Sequence, residues 1–279
     1  MFPSRKITVL GGDKFRDEHS MYFDGTDDSI HFPNKSGTFS ATEGDWHTVC
    51  CWSKNLSGFT TTMRLWNANV HDPGFLFASS SANWKIGYNT GASEQIGVNQ
   101  KKSEWDGVWK HTIMSFEVSD HEGNVALDNS GTGLMMPLIW IDGVSMNTVD
   151  TGGVFSVDYQ TAADNDDSNE TNIQVASPFA IGSNKLDEGT NSQPYAGWIS
   201  DISVYKVKFT DDYARTVYNS GEPFDHNNWT VGRNYCTLWG RMGDAHGDSS
   251  TVLQDASLFN NEETTAADGA PYLTNDIPS

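Results

Sequence analysis

Ser20-Met-Tyr-Phe-Asp-Gly-Thr-Asp-Asp-Ser-Ile-His-Phe-Pro33 decides how the rest of the chain is read. Met21 and Phe23, then Ile30 and Phe32, fall on alternate positions, the pattern of a strand with one face in a core and one in water. Asp24-Gly25 lies between the two runs and supplies the residue types that a tight reversal uses. The spacing predicts two short strands paired as a β-hairpin with one apolar face.

The same period of two persists outward from that stretch. Asp45-Trp-His-Thr-Val-Cys-Cys-Trp52 alternates and is rich in β-formers, so it predicts a core strand. Met63-Arg-Leu-Trp66, Phe75-Leu-Phe77 and Trp84-Lys-Ile-Gly-Tyr88 follow at short spacing, bounded by Ser, Asn, Gly or Pro. Asp106-Gly-Val-Trp-Lys-His-Thr-Ile-Met-Ser-Phe116 is a turn leading into a strand on which Trp109, His111, Ile113 and Ser115 share one face. Leu138-Ile-Trp-Ile-Asp-Gly-Val144 is a further strand ending in an Asp-Gly turn. A helical pattern occurs once, at 210–220: Thr210 is its N-cap, Asp211 and Asp212 lie in the first turn, Tyr213, Val217 and Tyr218 form the apolar stripe, and Gly221 stops it. Together these predict an all-β, two-sheet antiparallel jelly-roll sandwich with one short helix.

Residues 1–19 read as an N-terminal arm or edge strand around Ile7-Thr-Val-Leu10. The sandwich occupies 20–223, and 224–279 form a C-terminal extension packed on the domain or on a neighbouring subunit. Within that extension Tyr235-Cys-Thr-Leu-Trp239 predicts a strand. Ser119 to Gly133 and Gln160 to Asn172 read as long polar loops, the second carrying Asp164, Asp166, Asp167 and Glu170.

Composition narrows the partners. Against 17 Lys and Arg stand 37 Asp and Glu, a formal net charge of −20 that repels nucleic-acid phosphates and anionic lipid headgroups. With 12% aromatic residues, including 10 Trp, the chain is built to fold. No apolar run reaches the length of a membrane span, and Met-Phe-Pro-Ser-Arg-Lys at the N-terminus lacks the apolar core of a secretory leader, so synthesis in a cytosol is expected. Cys50 and Cys51 are neighbours on a strand and point to opposite faces, which makes a bridge between them unfavourable. The thiols read as buried and free unless the fold brings Cys236 to one of the pair.

Catalytic patterns are missing. Two Glu at alternate strand positions, as a retaining glycosidase on such a sheet would use, do not occur, and neither do Gly-x-Ser-x-Gly, His-Glu-x-x-His or a phosphate-binding Gly loop. His47 and His111 fall inside strands, where a structural role is expected, so no catalytic residue is assigned. Calcium is the cofactor to consider: Asp24, Asp27 and Asp28 would supply oxygen ligands, completed by Asp201 if the first and last strands of the sandwich pair. The alternative is that these Asp residues only brace a turn. For sugars, exposed rings at Trp66, Trp84, Tyr88, Trp105 and Trp229 would stack on pyranose faces; the competing reading places the tryptophans in the core.

Three of these motifs, in order, resemble the laminin G-like and concanavalin A-like lectin domains. They are the Asp-Gly-Thr-Asp-Asp turn at 24–28, the Asp106-Gly-x-Trp-x-His111 strand with its Asp142-Gly143 successor, and Gly197-Trp-Ile-Ser-Asp201 running to Tyr205 before a helix that ends in Tyr218-Asn-Ser-Gly221. Trp239-Gly-Arg-Met-Gly-Asp244 is similar to the closing segment of such proteins in marine bacteriophages. The resemblance implies a non-enzymatic protein of a virion surface, as a capsid decoration, fibre or tail appendage. Its expected partners are other virion proteins, copies of itself and host glycans. A cellular carbohydrate-binding or adhesion module of a marine bacterium is the alternative. Any glycan contact is expected on the loops of one rim, with neutral or cationic ligands favoured by the acidic surface.

Overall fold

The computed structural model describes residues 15, 17–32, 45–61, 63–67, 74–79, 83–89, 95–117, 138–146, 157–159, 179–183, 193–245, 248, 253–257, 265–266 and 271–278. In chain order its strands begin Ser20–Asp24 (β1), Ile30–Phe32 (β2), Trp46–Asn55 (β3), Met63–Asn67 (β4), Gly74–Ser79 (β5), Asn83–Asn89 (β6), Gln95–Lys101 (β7) and Trp109–Glu117 (β8). They continue Leu138–Ile141 (β9), Val144–Ser145 (β10), Val157–Tyr159 (β11), Phe179–Ile181 (β12), Ala196–Tyr205 (β13), Cys236–Gly240 (β14), Thr265–Ala266 (β15) and Tyr272–Thr274 (β16). One α-helix, α1, spans Asp211–Tyr218.

Two antiparallel sheets result, as the alternating patterns predict. The front sheet runs β10-β9-β8-β3-β13-β1-β16, and the back sheet runs β11-β7-β6-β5-β4-β12-β2-β15. Strand β13 is long enough to hold two partners along one edge: β1 pairs with its first half and β14 with its second. The C-terminal extension therefore belongs to the sandwich. Its β14 lengthens the front sheet beside β13, while β15 and β16 cover the outer edges of β2 and β1.

The opening stretch departs from the hairpin expected of it. β1 pairs with β13 and β16, whereas β2 pairs with β12 and β15, so the two runs lie in different sheets. The acidic turn is a crossover between sheets. This places Met21 and Phe23 on one side of the core and Ile30 and Phe32 on the other, where all four are at most 2% exposed. A period-two pattern fixes which side chains face inward, but not which strand lies alongside.

The centre of the front sheet, along β3 and β13, is buried on both faces. On β3, Val49 and Cys51 join the core between the sheets, while Cys50 points to a second apolar layer outside it with Ile113, Trp140, Tyr205, Phe209, Val217 and Trp239. α1 and the segment that follows roof this layer. Thr210 caps the helix by accepting from the Tyr213 amide, and Ala214 and Val217 are its buried positions. Termination comes earlier than Gly221, because Asn219 already adopts a left-handed φ of 51°. Trp229 meets Tyr205, Phe209, Tyr213 and Phe224 edge-on at centroid distances of 5.7, 5.9, 5.2 and 5.9 Å, a geometry worth about 0.5–1.5 kcal/mol per pair beyond burial.

All three cysteines are free and buried. Cys50 lies opposite Ser203 and Cys236 opposite Tyr205, with β13 between their strands. Two interstrand spacings, about 9–10 Å, exceed the reach of a disulfide. Burial pushes all three thiols up, which keeps them protonated and inert.

Candidate functional site

The acidic turn gathers three of the four expected calcium ligands. Oxygens of Asp24, Asp27 and Asp28 lie within 4.8 Å of one another, with Asp24 and Asp27 exposed and Asp28 buried. Part of that oxygen set already braces the crossover: Asp28 Oδ2 accepts from the Asp24 amide at 2.8 Å and Asp24 Oδ1 from the Thr26 amide at 2.7 Å. Asp28 is raised above its ordinary carboxylate value, first by burial and then by the neighbouring Asp24 and Asp27 charges, against the lowering effect of its amide bond. Three clustered carboxylates suit a hard cation in donor type but fall short of a full oxygen shell on their own. Asp201 does not complete them. Pairing of β1 with β13 sets Asp24 opposite Ala196, and Asp201 is bound to His226 and Trp239 instead.

The expected sugar-stacking rings are placed differently. Trp66, Trp84 and Trp105 are 1%, 0% and 2% exposed, inside the core between the sheets, and offer no face to a ligand. The indole of Trp84 donates to Asp106 at 2.8 Å and that of Trp105 to Gln100 at 3.4 Å, so even their polar edges serve the fold. Trp229 is part of the roof described above. The side chain of Tyr88 and the loops 119–133 and 160–172 lie outside the described residues.

Sequence reasoning missed a polar network beneath that roof. Asp201 Oδ1 accepts from Trp239 Nε1 at 2.9 Å and its Oδ2 from His226 Nε2 at 3.3 Å, while the Tyr205 hydroxyl bonds His226 Nδ1. With its ε nitrogen donating to a carboxylate, the imidazole presents Nδ1 as an acceptor to the phenol. Tyr205, His226 and Asp201 are 0%, 2% and 3% exposed, so this Asp–His–Tyr chain has no access to a substrate. Its partners come from β13, the 226–228 turn and β14. Only the fold brings them together, although a β-bulge between Ile199 and Asp201 is what turns Ser200 and Asp201 toward the same layer.

The N-terminal arm is tied into this network. Asp17 accepts from Ser200 Oγ at 3.1 Å and from Arg241 at 3.4 Å, and Asp244 accepts from the Glu18 and His19 amides and from His19 Nδ1 at 2.8, 3.1 and 2.7 Å. Trp239-Gly-Arg-Met-Gly-Asp244 therefore acts as a clip. Met242 and Gly243 take left-handed φ values of 50° and 114°, turning the chain so that Arg241 and Asp244 both face the arm.

Burial, with the Asp201 charge next and Asp244 adding to it, pushes Asp17 up to about 8 despite the opposing guanidinium of Arg241. Between the ordinary value near 3.8 and about 8 the folded chain keeps a proton that the unfolded chain has released, so stability falls as pH rises through that window. His111 behaves oppositely: burial, then the His226 charge, push it down to about 3, so stability is lost as pH falls from 6.5 toward 3. Asp17→Asn is expected to flatten the alkaline limb, giving a higher thermal midpoint than the parent at pH 9 and little change at pH 5. Calorimetry across pH 4–9 checks this. An unchanged alkaline limb would show that Asp17 is ionised in the fold.

No protein-family model matches the chain, and no curated protein matches it in sequence. Solved structures do. A candidate carbohydrate-binding protein from Bacteroides ovatus superposes with a TM-score of 0.55 at 13% identity, over 95% of this chain and 62% of that one. This chain thus spans under two thirds of the Bacteroides protein's length. A heptameric pentraxin from Limulus polyphemus superposes with a TM-score of 0.50 at 14% identity, over 92% of this chain and 94% of that one. Identities this low speak to architecture alone. The chain is a two-sheet antiparallel β-sandwich of jelly-roll architecture, similar in fold to those two proteins.

Proposed function

We propose that this chain is a non-enzymatic, glycan-binding structural protein of a virus-particle surface. The buried state of the Asp201–His226–Tyr205 chain carries the non-enzymatic part, because the one acid–histidine–phenol relay among the described residues is sealed by Trp239 and the helix roof. The lectin-like sandwich supports glycan binding. The bacteriophage-like Trp239–Asp244 segment and the charge of −20 support a place on a crowded particle, beside other virion proteins and further copies of the chain. Gene neighbourhood and labelling of purified particles with antibody test the location. Portal, terminase and capsid genes beside this one, with label on particles, are expected; polysaccharide-utilisation neighbours and no particle label would move the assignment to a cellular carbohydrate-binding module, a reading that the Bacteroides likeness supports. A glycan array on the whole chain tests binding, with neutral glycans expected to score and sulfated or uronic ones not.

Calcium at the Asp24–Asp28 turn belongs to the same reading. A cation would relieve the mutual repulsion of three carboxylates, so calcium at a hundred times its Kd is expected to add about 2.7 kcal/mol to the unfolding free energy. Thermal melts in calcium and in excess chelator give the answer: coincident midpoints remove the metal and leave the three acids as turn braces.

A further inference from the structure

A cleft of about 550 Å³ opens between the N-terminal arm and the C-terminal extension, on the outer side of the front sheet beside β14. Its lining includes Phe15 from the arm, Asp225 and Asn227 from the turn after the helix, and Trp239, Arg241 and Gln254 from the extension. The size falls within the usual range of small-molecule sites, about 300–1,000 Å³. The walls are fixed. Arg241 lies over the Phe15 ring at 4.6 Å and the Trp239 ring at 5.4 Å, and it donates to the Asp244 carbonyl and to Asp17. Asp225 is held by the Asn227 and Asn228 amides and by Asn228 Nδ2, and Asn227 Nδ2 donates to the Ala256 carbonyl at 2.9 Å.

What these anchored groups leave over is a mixed set. Asn227 keeps its Oδ1 as an acceptor, Asp225 keeps carboxylate lone pairs, and the Gln254 carboxamide, both donor and acceptor, makes no hydrogen bond among the described residues while its backbone is pinned to Asp248 at 2.7 Å. Each ligand hydroxyl is likewise donor and acceptor, so a polyhydroxylated ligand can satisfy such a set. Charge narrows the class. Asp225 and Asp255 oppose an anion, and the guanidinium of Arg241 opposes a cation.

We propose that this cleft is a binding site for a neutral saccharide, formed only when the arm is clipped to the extension. The inference rests on the glycan-binding reading above and places the contact away from the loop rim where the sequence led us to expect it. The test uses the whole chain and the strongest neutral oligosaccharide from an array that also carries sialylated and sulfated glycans, with titration calorimetry on the parent, Gln254→Ala and Ala245→Trp. Ala245 is half-buried on the cleft wall, so the indole fills the space. Loss of the Gln254 contact is expected to weaken binding about tenfold, the equivalent of roughly 1.4 kcal/mol, and Ala245→Trp to remove it, with Gln254→Ala melting like the parent. If the parent binds a neutral glycan and Gln254→Ala binds it equally well, the cleft is overturned while the glycan-binding reading stands. If the parent binds only anionic glycans, the cleft's assigned ligand class is overturned. If it binds none of the array, the reading and the cleft fall together.

Discussion

Asp201→Ala is expected to lower the unfolding free energy by about 2–6 kcal/mol, because it strands two buried donors, Trp239 Nε1–H and His226 Nε2–H, at about 1–3 kcal/mol each. Against a typical total of about 5–15 kcal/mol this is a large share. Trp239 and His226 are each 2% exposed, so the stranded donors stay largely out of reach of bulk solvent. Asp201→Asn separates bonding from charge. Its carbonyl oxygen still accepts from Trp239, while the charge that helps to push Asp17 up is gone. The Asn variant should therefore retain more stability than the Ala variant and lose less of it between pH 5 and pH 9 than the parent. Urea denaturation at those two pH values measures both effects. An Ala variant within about 0.5 kcal/mol of the parent, the range of ordinary surface substitutions, would mean that the network does not hold the roof on the sheet.

Asp201 also marks where the sequence stopped being legible. Its spacing from Gly197 and Tyr205 was readable as part of a strand motif, and the strand is there, as β13. A carboxylate on a strand adjacent to the strand bearing Asp24 was a reasonable fourth calcium ligand. The register places it elsewhere: Asp24 sits opposite Ala196, and a bulge after Ile199 rotates Asp201 toward the second layer. Neither register nor bulge leaves a mark in a single sequence when both faces of a strand are buried, because the apolar pattern then constrains neither. The hairpin expectation failed for a related reason. Met21-x-Phe23 and Ile30-x-Phe32 each report an inward face, and a crossover between sheets satisfies that pattern as well as a hairpin does. For the tryptophans, composition was the misleading signal, since ring abundance says nothing of which rings lie between two sheets. The helix was readable at its start because those determinants are local, Thr210 and its acidic first turn, whereas of the expected stripe of Tyr213, Val217 and Tyr218 only Val217 is buried, and Ala214 is its buried partner.

Gly197→Ala is the expected counterpart on the backbone side, with a loss of about 2–6 kcal/mol composed of strain at an unfavourable φ, about 1–3 kcal/mol, and overpacking, about 1–3 kcal/mol. Gly197 has a φ of 146°, and a methyl group there would sit 2.2 Å from the Lys54 carbonyl oxygen, 3.0 Å from the Tyr195 hydroxyl and 3.1 Å from Asn55 Cα. The obstacle cannot swing aside. The closest atom is backbone in β3, and Gly197 is paired on both edges, with Asn55 on one side and Phe23 on the other. Moving it would disturb β13, β3 and β1 together, next to the end of β1 that enters the acidic turn. Gly58 serves as the control: its φ is 81° and nothing lies within 4 Å of the added carbon, so Gly58→Ala should show strain alone. The glycine that opens the Gly-x-Ile-x-Asp motif at 197–201 thus has a physical reason to be glycine, the approach of two backbones closer than any side chain permits. Chemical denaturation of the two variants side by side tests that reason, and a Gly197→Ala loss no larger than that of Gly58→Ala would refute the close approach of β13 to β3.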